Sequence, residues 1–183
     1  MDKFTYLDRL YLIRGHIMKD RNKTCCFTGH RPAKLPWGSN ENDERCTALT
    51  DEIKNRLEGI YEAGYRNFIC GMAIGCDMYF AEAVLELRDR HPDVTLEAAS
   101  PCGSQPERWA RKERLRYNSI IDRCDSIKVL QTAYSRDCMM KRNRYMVDSS
   151  ALLLACYDGE PGGTMNTILY AERQGLKTII IDI

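Results

Sequence analysis

Short apolar runs alternate with longer amphipathic segments along most of the chain. The apolar runs predict six β-strands, at about Thr24–Gly29, Asn67–Gly71, Thr95–Ser100, Ser126–Leu130, Ala151–Cys156 and Thr178–Asp182. The segments between them repeat apolar residues at helical spacing and predict helices around 46–61, then at Asp77–Arg90, Pro106–Arg123, Asp137–Ser149 and Thr164–Gln174. Repeated alternation of strand and helix is typical of a parallel sheet covered by helices. The pattern therefore predicts an α/β fold.

The clearest helix follows the first strand. Its apolar positions are Cys46, Leu49, Ile53, Leu57, Ile60 and Tyr61. Gly64 comes directly after this pattern, and a glycine just beyond the last periodic position is a common helix stop. We therefore expect this helix to end immediately before Gly64.

The first 22 residues differ from the rest of the chain. Phe4, Leu7 and Tyr11 can share one helical face, yet the segment precedes the first strand and carries many charges. Two alternatives stay open, a helix that contacts a second copy of the chain and a poorly ordered extension. The predicted organisation is an N-terminal extension, 1–22, followed by one domain, 23–183, because 183 residues is the length of an ordinary domain.

Charge and hydropathy narrow the class of protein. Lys and Arg total 27 against 26 Asp and Glu, so the net charge is +1 and the chain lacks the basic excess of a typical nucleic-acid binder. A local basic patch remains compatible with that balance. No apolar stretch reaches the length of a membrane span, and the N-terminus has no secretory signal pattern. We expect a cytoplasmic protein with no membrane partner.

The nine cysteines are interpreted as reduced thiols, because the count is odd and no secretory signal accompanies them. Cys25, Cys26, Cys70 and Cys156 lie in strand-like apolar runs, where cysteine packs as a small hydrophobic residue. A metal site built from Cys70, Cys76 and Cys102 is the alternative, but the chain has no CxxC pair. We favour ordinary packing and predict no metal.

Four predicted strands are followed by turns in which glycine and polar residues are frequent. These turns are Gly29–Pro32, Gly71–Asp77, Ser100–Gly103 and Tyr157–Thr164. In open α/β sheets ligands bind outside the carboxyl ends of the strands, so we expect the site there. The candidate ligand-binding residues in these turns are Gly29, His30, Arg31, Gly71, Ala73, Gly75, Asp77, Gly162, Gly163 and Thr164.

Gly162, Gly163 and Thr164 form the best candidate for a phosphate site. Glycine lets a phosphate approach backbone N–H groups, and a helix N-terminus adds unpaired donors with a partial positive charge. Thr164 and Thr167 add hydroxyl groups on the first turn of the helix. The alternative is a glycine turn in which Thr164 only caps the helix.

Four polar residues are candidates for ligand contacts, and three of them have a second interpretation. Asp77 either accepts hydrogen bonds from a ribose or caps its own helix. His30 and Arg31 either contact a phosphate or sugar or, in the case of Arg31, pair with a surface carboxylate. Asn143 either points into the cleft or is an ordinary polar residue of its helix.

Two tryptophans are candidates for stacking on a nucleobase. Trp37 lies in the long loop after the first strand, and Trp109 lies in the predicted helix after the third strand. We favour Trp109 because its helix is predicted to start near the mouth of the cleft. The alternative is that either ring packs on the sheet as a hydrophobic lid.

These motifs together resemble the YpsA-like branch of the SLOG superfamily, which is related to the DNA-processing protein DprA/Smf and to the LOG nucleoside-monophosphate phosphoribohydrolases. The motifs that carry the resemblance are FTGHRP at Phe27–Pro32, GMAIGCD at Gly71–Asp77, AEA at Ala81–Ala83, the segment Lys141–Thr167 and YAERQG at Tyr170–Gly175. The resemblance implies a Rossmann-like three-layer αβα sandwich with a mainly parallel sheet of about six strands. It also implies a pocket for a nucleotide or nucleotide-derived ligand, such as an ADP-ribose-like molecule, and a homodimer.

The resemblance leaves the reaction open. The LOG signature PGGxGTxxE, laid on Pro161-Gly162-Gly163, puts Leu169 where the LOG proteins have their catalytic glutamate. Glu172 is three residues further along the helix, about 4.5 Å along its axis, and does not occupy the same place. We expect a binding or sensing protein, with no catalytic residue assigned. Cleavage of an N-glycosidic bond in a nucleotide, through Asp77 or Glu172, is the enzymatic alternative.

DprA-like binding of single-stranded DNA is a further alternative. The DprA pattern glycine-serine-leucine-x-threonine is echoed by Gly163-Thr164-Met165-Asn166-Thr167. Binding of a single strand needs a basic track and stacking groups. Clusters that could form such a track are Arg108, Arg111, Lys112, Arg114 and Arg116, and Lys141, Arg142 and Arg144. The balanced net charge makes nucleic acid a less favoured partner than a small nucleotide.

Overall fold

Six parallel strands form a single sheet in the computed structural model of the protein, which describes residues 20–183. The strands are β1 (Thr24–Thr28), β2 (Asn67–Cys70), β3 (Thr95–Ser100), β4 (Ser126–Val129), β5 (Leu152–Tyr157) and β6 (Lys177–Asp182). Their order across the sheet is β4-β3-β2-β1-β5-β6. All five neighbouring pairs are parallel, so the expected mainly parallel sheet is parallel throughout. The predicted N-terminal extension is 1–22, and its residues 1–19 lie outside the described part of the chain.

Five α-helices connect the strands. They are α1 (Glu44–Glu62), α2 (Cys76–Arg90), α3 (Arg111–Arg123), α4 (Cys138–Asp148) and α5 (Gly163–Arg173). The prediction that the third helix begins at Pro106 is wrong. Residues 106–110 form turns in which the Trp109 amide donates to the Pro106 carbonyl at 3.1 Å, and the helix begins only at Arg111.

The α1 helix ends as its sequence predicts. Gly64 has a φ of +97°, its amide donates to the Tyr61 carbonyl at 2.9 Å, and the Tyr65 amide donates to the Ile60 carbonyl at 3.2 Å. This pair of bonds is the Schellman motif, which needs a left-handed residue and therefore favours glycine.

The helices cover both faces of the sheet and make three layers. Alternate side chains of β1 show the division, because Cys25 and Phe27 pack in the core under α1, α2 and α3, whereas Cys26 packs in the core under α4 and α5. This alternation follows from the two-residue period of a strand. The predicted three-layer αβα sandwich is confirmed.

The chain winds in two directions from β1. The first four strands extend the sheet towards β4, after which α4 crosses back over the opposite face and delivers β5 to the free side of β1. The strand order therefore reverses between β1 and β5. In doubly wound sheets this switch point opens a crevice at the carboxyl ends of the two strands.

All nine cysteines are buried and unpaired. Within residues 20–183, no group of three or more His, Cys, Asp or Glu side chains is arranged to hold a metal ion. Over the same part of the chain, every helix is too short or too polar to cross a lipid bilayer.

Candidate functional site

The loop after β1 lies at the centre of the crevice. His30 is 4% exposed, and its imidazole links two parts of the β5 loop: Nε2 lies 2.6 Å from Asp158 Oδ1, and Nδ1 lies 3.2 Å from Thr164 Oγ1. The predicted residues His30 and Thr164 are thus in direct contact, although they are 134 positions apart. The imidazole holds the first turn of α5 against the end of β1.

Asp158 is the residue of this cluster that the sequence interpretation missed. The Glu160 amide donates to its Oδ1 at 2.9 Å, and that hydrogen bond, followed by the contact with His30, lowers the pKa of the carboxyl group. A lowered pKa keeps Asp158 ionised, so a negative charge faces the imidazole. The feature of the sequence that could have identified Asp158 is its position directly after β5.

The N-terminus of α5 is open to the surroundings. Gly162 precedes the helix, and no side chain caps it. A Cβ built on Gly163 would have no heavy atom within 4 Å, so the backbone here faces open space. The alternative that Thr164 caps the helix is wrong, because its hydroxyl group contacts His30. Uncapped first-turn amides with a partial positive charge can receive an anion.

Lys34 brings a positive charge to the same turn. Its Nζ donates to the Pro161 carbonyl at 2.8 Å and lies 3.1 Å from the position of a Cβ on Gly162. Lys34 lies in the short 3-10 turn Pro32–Lys34 after β1, and sequence reasoning did not select it. Because this lysine is 127 positions from Pro161, only the fold brings the two together.

Arg31, beside His30, is exposed and points towards α4, where its Nη2 lies 3.8 Å from the Met139 Sδ. Among residues 20–183, neither Arg31 nor Lys34 forms an ion pair with a carboxylate. Both cations therefore remain available to an anion at this end of the sheet.

The β2 turn, Gly71–Asp77, lies on the other side of the β1 loop and is buried. Arg142 of α4 is 5% exposed and donates through Nη1 to the Gly71 carbonyl, and a Cβ on Gly71 would lie 1.8 Å from that same nitrogen. A side chain at residue 71 would therefore have to displace the Arg142 guanidinium. Gln105 also donates to the Gly71 carbonyl, at 3.2 Å, and ties the β3 loop to the turn.

Asp77 lies beneath this arginine. Its Oδ2 accepts a hydrogen bond from the Ala73 amide at 3.1 Å and lies 3.8 Å from Arg142 Nη1. Burial raises the pKa of Asp77, opposed by the Arg142 charge and the Ala73 amide, and burial lowers the pKa of Arg142. The alternative that Asp77 caps its own helix is wrong in detail, because its carboxylate stabilises the preceding turn and Gly75 is the residue before the helix. A ribose contact by Asp77 stays a prediction.

Consecutive residues of α4 connect the two glycine turns. Arg142 bonds to Gly71, and Asn143 donates through Nδ2 to Thr167 Oγ1 of α5 at 2.7 Å. The two side chains also bond to each other, Arg142 Nε to Asn143 Oδ1, at 2.7 Å. Thr167 in turn donates to the Gly163 carbonyl at 2.8 Å. Four predicted residues thus belong, with Arg142, to one hydrogen-bonded network: Gly71, Asn143, Gly163 and Thr167.

Gly29 and Gly75 allow the turns after β1 and β2 to approach each other. A Cβ on Gly29 would lie 2.5 Å from the Cys76 Cβ, and a Cβ on Gly75 would lie 2.8 Å from the His30 carbonyl oxygen. The Cys76 amide donates to the same carbonyl at 3.1 Å. These two glycines have a packing role at the base of the crevice.

Trp109 lies two residues before α3 and not within it. Its ring is partly buried and packs edge-on against Tyr117, with 5.5 Å between ring centroids. Trp37 is buried in the core at 7% exposure. Trp37 therefore fits the alternative of a ring that packs on the sheet as a hydrophobic lid. Stacking of Trp109 on a nucleobase stays a prediction.

Both basic clusters are partly neutralised by carboxylates. Arg116 binds Glu82 and Glu41, each at 2.6 Å, and these contacts raise its pKa despite partial burial. In the other cluster, Lys141 pairs with Asp137 at 2.9 Å and Arg142 is buried. Neither cluster is a continuous unpaired track across its helix.

The fold and the site define a class of protein: a doubly wound α/β protein whose glycine-rich strand ends surround a crevice at the switch point. Within that class, a family model named YpsA and described as the YspA SLOG family matches residues 25–178. The chain belongs to this family.

Two relatives and one solved structure are also similar to this chain. A UPF0398 protein of Bacillus pumilus is 28% identical over 145 residues, which are 78% of this chain and 77% of the relative. A UPF0398 protein of Bacillus thuringiensis is 26% identical over 154 residues, 83% of each chain. The DNA processing protein A (DprA) of Streptococcus pneumoniae matches 87% of this chain with a TM-score of 0.59 and 14% identity. The match spans 50% of the DprA chain, and at this identity it shows a shared fold.

Proposed function

We propose that the protein binds or senses a nucleotide or nucleotide-derived ligand, with a phosphate group at the N-terminus of α5. The observation that carries this proposal is the uncapped glycine turn, where Gly163 faces open space and the Lys34 ammonium group lies beside Gly162. Backbone amides, a helix dipole and a lysine together suit a phosphate better than any neutral group.

The surrounding residues have distinct roles in this proposal. Lys34 and Arg31 supply positive charge, and the Gly162 and Gly163 amides supply hydrogen-bond donors. His30 and Asn143 act indirectly, because they hold Thr164 and Thr167 of the first helical turns in place. The buried turn Gly71–Asp77 supports the crevice from below through Arg142.

A nucleotide is favoured over a simple anion because the SLOG resemblance implies such a ligand and because the crevice lies at the switch point of a doubly wound sheet. We propose a binding protein in preference to a glycosidic hydrolase, since Leu169 stands at the position that matches the LOG glutamate. The proposal also keeps the expectation of a cytoplasmic homodimer.

Titration calorimetry with AMP, ADP and ADP-ribose tests the proposal. We expect at least one of these ligands to bind, and we expect Gly163→Val to lower its affinity at least tenfold, since the side chain would fill the space in front of the amides. Loss of a charge-assisted contact in Lys34→Gln should cost about 1.5 to 3 kcal/mol, or roughly ten- to a hundredfold in affinity.

Gly59→Val is the matched control. Gly59 is also a glycine with no heavy atom within 4 Å of a built Cβ, but it lies on α1, on the opposite face of the sheet. The Gly59→Val variant should leave the affinity for the ligand unchanged. A folded wild-type protein that binds none of the three ligands would refute the proposal, and equal losses in both valine variants would remove the assignment to α5.

A further inference from the structure

A groove of about 380 Å³ lies between α4 and α5 and begins at Gly163. On α5 it is lined by Gly163, Asn166, Thr167, Tyr170 and Arg173, which share one helical face because they are three or four residues apart. From Gly163 to Arg173 the helix rises by about 15 Å. The groove therefore continues from the proposed phosphate position along the outside of the molecule.

All charged residues that line this groove are positively charged. Arg136 and Arg144 line it from the α4 side and Arg173 from the α5 side, and no lining residue is acidic. Within the described part of the chain, none of these three arginines forms an ion pair with a carboxylate. Several arginines elsewhere on the surface do form such pairs, for example Arg66 with Asp93 at 2.7 Å and Arg123 with Asp89 at 3.0 Å.

The groove also offers apolar and aromatic surface. Met140 is 50% exposed and Leu169 is 39% exposed. The Arg144 guanidinium lies over the Tyr170 ring, 5.4 Å from its centroid, and the Tyr170 hydroxyl donates to Asp148 at 2.9 Å, which holds the ring in place. Cations interleaved with apolar and aromatic groups suit a ligand that carries both phosphate and planar bases.

We propose that this groove is a second subsite, which holds the second nucleotide unit of a dinucleotide whose first phosphate lies at the N-terminus of α5. The proposal rests on the proposed function and narrows its ligand from nucleotides in general to molecules with two nucleotide units. Arg144 and Arg173 contact the second phosphate, and Tyr170 contacts a base. A mononucleotide would leave all three arginines without an anion.

Calorimetry with AMP and with the 5′-phosphorylated dinucleotide pApA separates the two subsites. We expect pApA to bind the wild-type protein about tenfold or more tightly than AMP. The double variant Arg144→Gln/Arg173→Gln should lose that advantage and keep its affinity for AMP, and the affinity for pApA should fall more steeply with salt in the wild type than in the variant. The single variant Arg136→Gln should lose part of the advantage.

Arg108→Gln/Arg111→Gln is the control, because it removes the same charge from the segment at the start of α3, on the other face of the sheet. This control variant should retain the preference for pApA over AMP.

Two outcomes refute the second subsite and leave the proposed function standing. In the first, AMP binds the wild-type protein and pApA binds no more tightly. In the second, pApA binds more tightly than AMP to the wild type and equally so to Arg144→Gln/Arg173→Gln. If neither AMP nor pApA binds, the second subsite is refuted, and the proposed function is refuted as well only if ADP and ADP-ribose also fail to bind. If a 12-nucleotide single strand binds far more tightly than pApA, the ligand is nucleic acid and the dinucleotide assignment is overturned.

Discussion

Gly75 holds the backbone of the crevice in a conformation that favours glycine. Its φ of +97° and ψ of −132° lie where L-residues with a side chain rarely occur. A Cβ there would also lie 2.8 Å from the His30 carbonyl oxygen and 3.0 Å from the Pro32 Cδ. The carbonyl belongs to the backbone and cannot rotate away, so relief requires the β1 loop to move.

We predict that Gly75→Ala destabilises the protein by about 1 to 3 kcal/mol through the backbone conformation alone, with a further cost from the contact with His30. Urea denaturation measures this change. Gly163→Ala is the control, since a Cβ on Gly163 meets nothing within 4 Å. Gly163→Ala should change stability by less than about 1 kcal/mol. Equal stability of Gly75→Ala and wild type would contradict the prediction.

At the scale of the element, α1 begins with a side-chain cap. Asp43 Oδ1 accepts from the Arg45 amide at 3.0 Å, and both carboxylate oxygens contact the Arg45 guanidinium. The guanidinium hydrogen bonds, followed by the amide, lower the pKa of Asp43 from 3.8 to about 2. The ionised carboxylate is therefore the form that stabilises the folded state.

The sign of the pH dependence follows from this shift. A carboxyl group whose pKa is lower in the folded state stabilises the protein fully above its unfolded pKa, and this contribution is lost as the pH falls through the folded pKa. We predict that Asp43→Ala is less stable than wild type at neutral pH and that the difference shrinks between about pH 4 and pH 2. Thermal unfolding across this pH range measures the difference.

Asp43→Asn is the informative companion variant. Asparagine keeps a capping oxygen but not the charge, so it should retain more stability than alanine at neutral pH. A gap between Asp43→Ala and wild type that is as large near pH 2 as at neutral pH would show that the charge of Asp43 contributes nothing.

For the whole molecule, the boundary of the folded domain is open to a direct test. All six strands of the sheet lie within residues 20–183, and Asp20 is tied to β1 because its carbonyl accepts from Thr24 Oγ1 at 2.7 Å. We predict that a chain beginning at Asp20 unfolds cooperatively at the same urea midpoint as the full chain. A shift to a much lower midpoint would show that residues 1–19 belong to the folded unit.

The same two proteins test the predicted homodimer. We expect light scattering to give a dimer mass for the full chain. A dimer mass that survives the truncation would locate the contact within residues 20–183, whereas a monomer mass after truncation would assign it to the N-terminal segment. A monomeric full chain contradicts the prediction.

The sequence by itself determined the class of fold and placed the candidate site residues in the turns after the strands. Strand and helix periods are local properties, so the bounds of β3 and the Gly64 stop of α1 could be predicted from neighbouring residues alone. The start of α3 could not, because turn bonds around Trp109 compete with a helix that the composition equally permits.

Only the tertiary structure decided which of these residues meet. Lys34 reaches Pro161 across 127 positions, His30 reaches Thr164 across 134, and Arg142 reaches Gly71 across 71. These contacts exist because α4 carries the chain back over the sheet and places β5 beside β1, and that strand order depends on packing between distant segments. For the same reason the sequence could not tell that Asp77 is buried beneath an arginine. Nor could it tell that Arg136, which precedes α4, Arg144 of α4 and Arg173 of α5 line one groove.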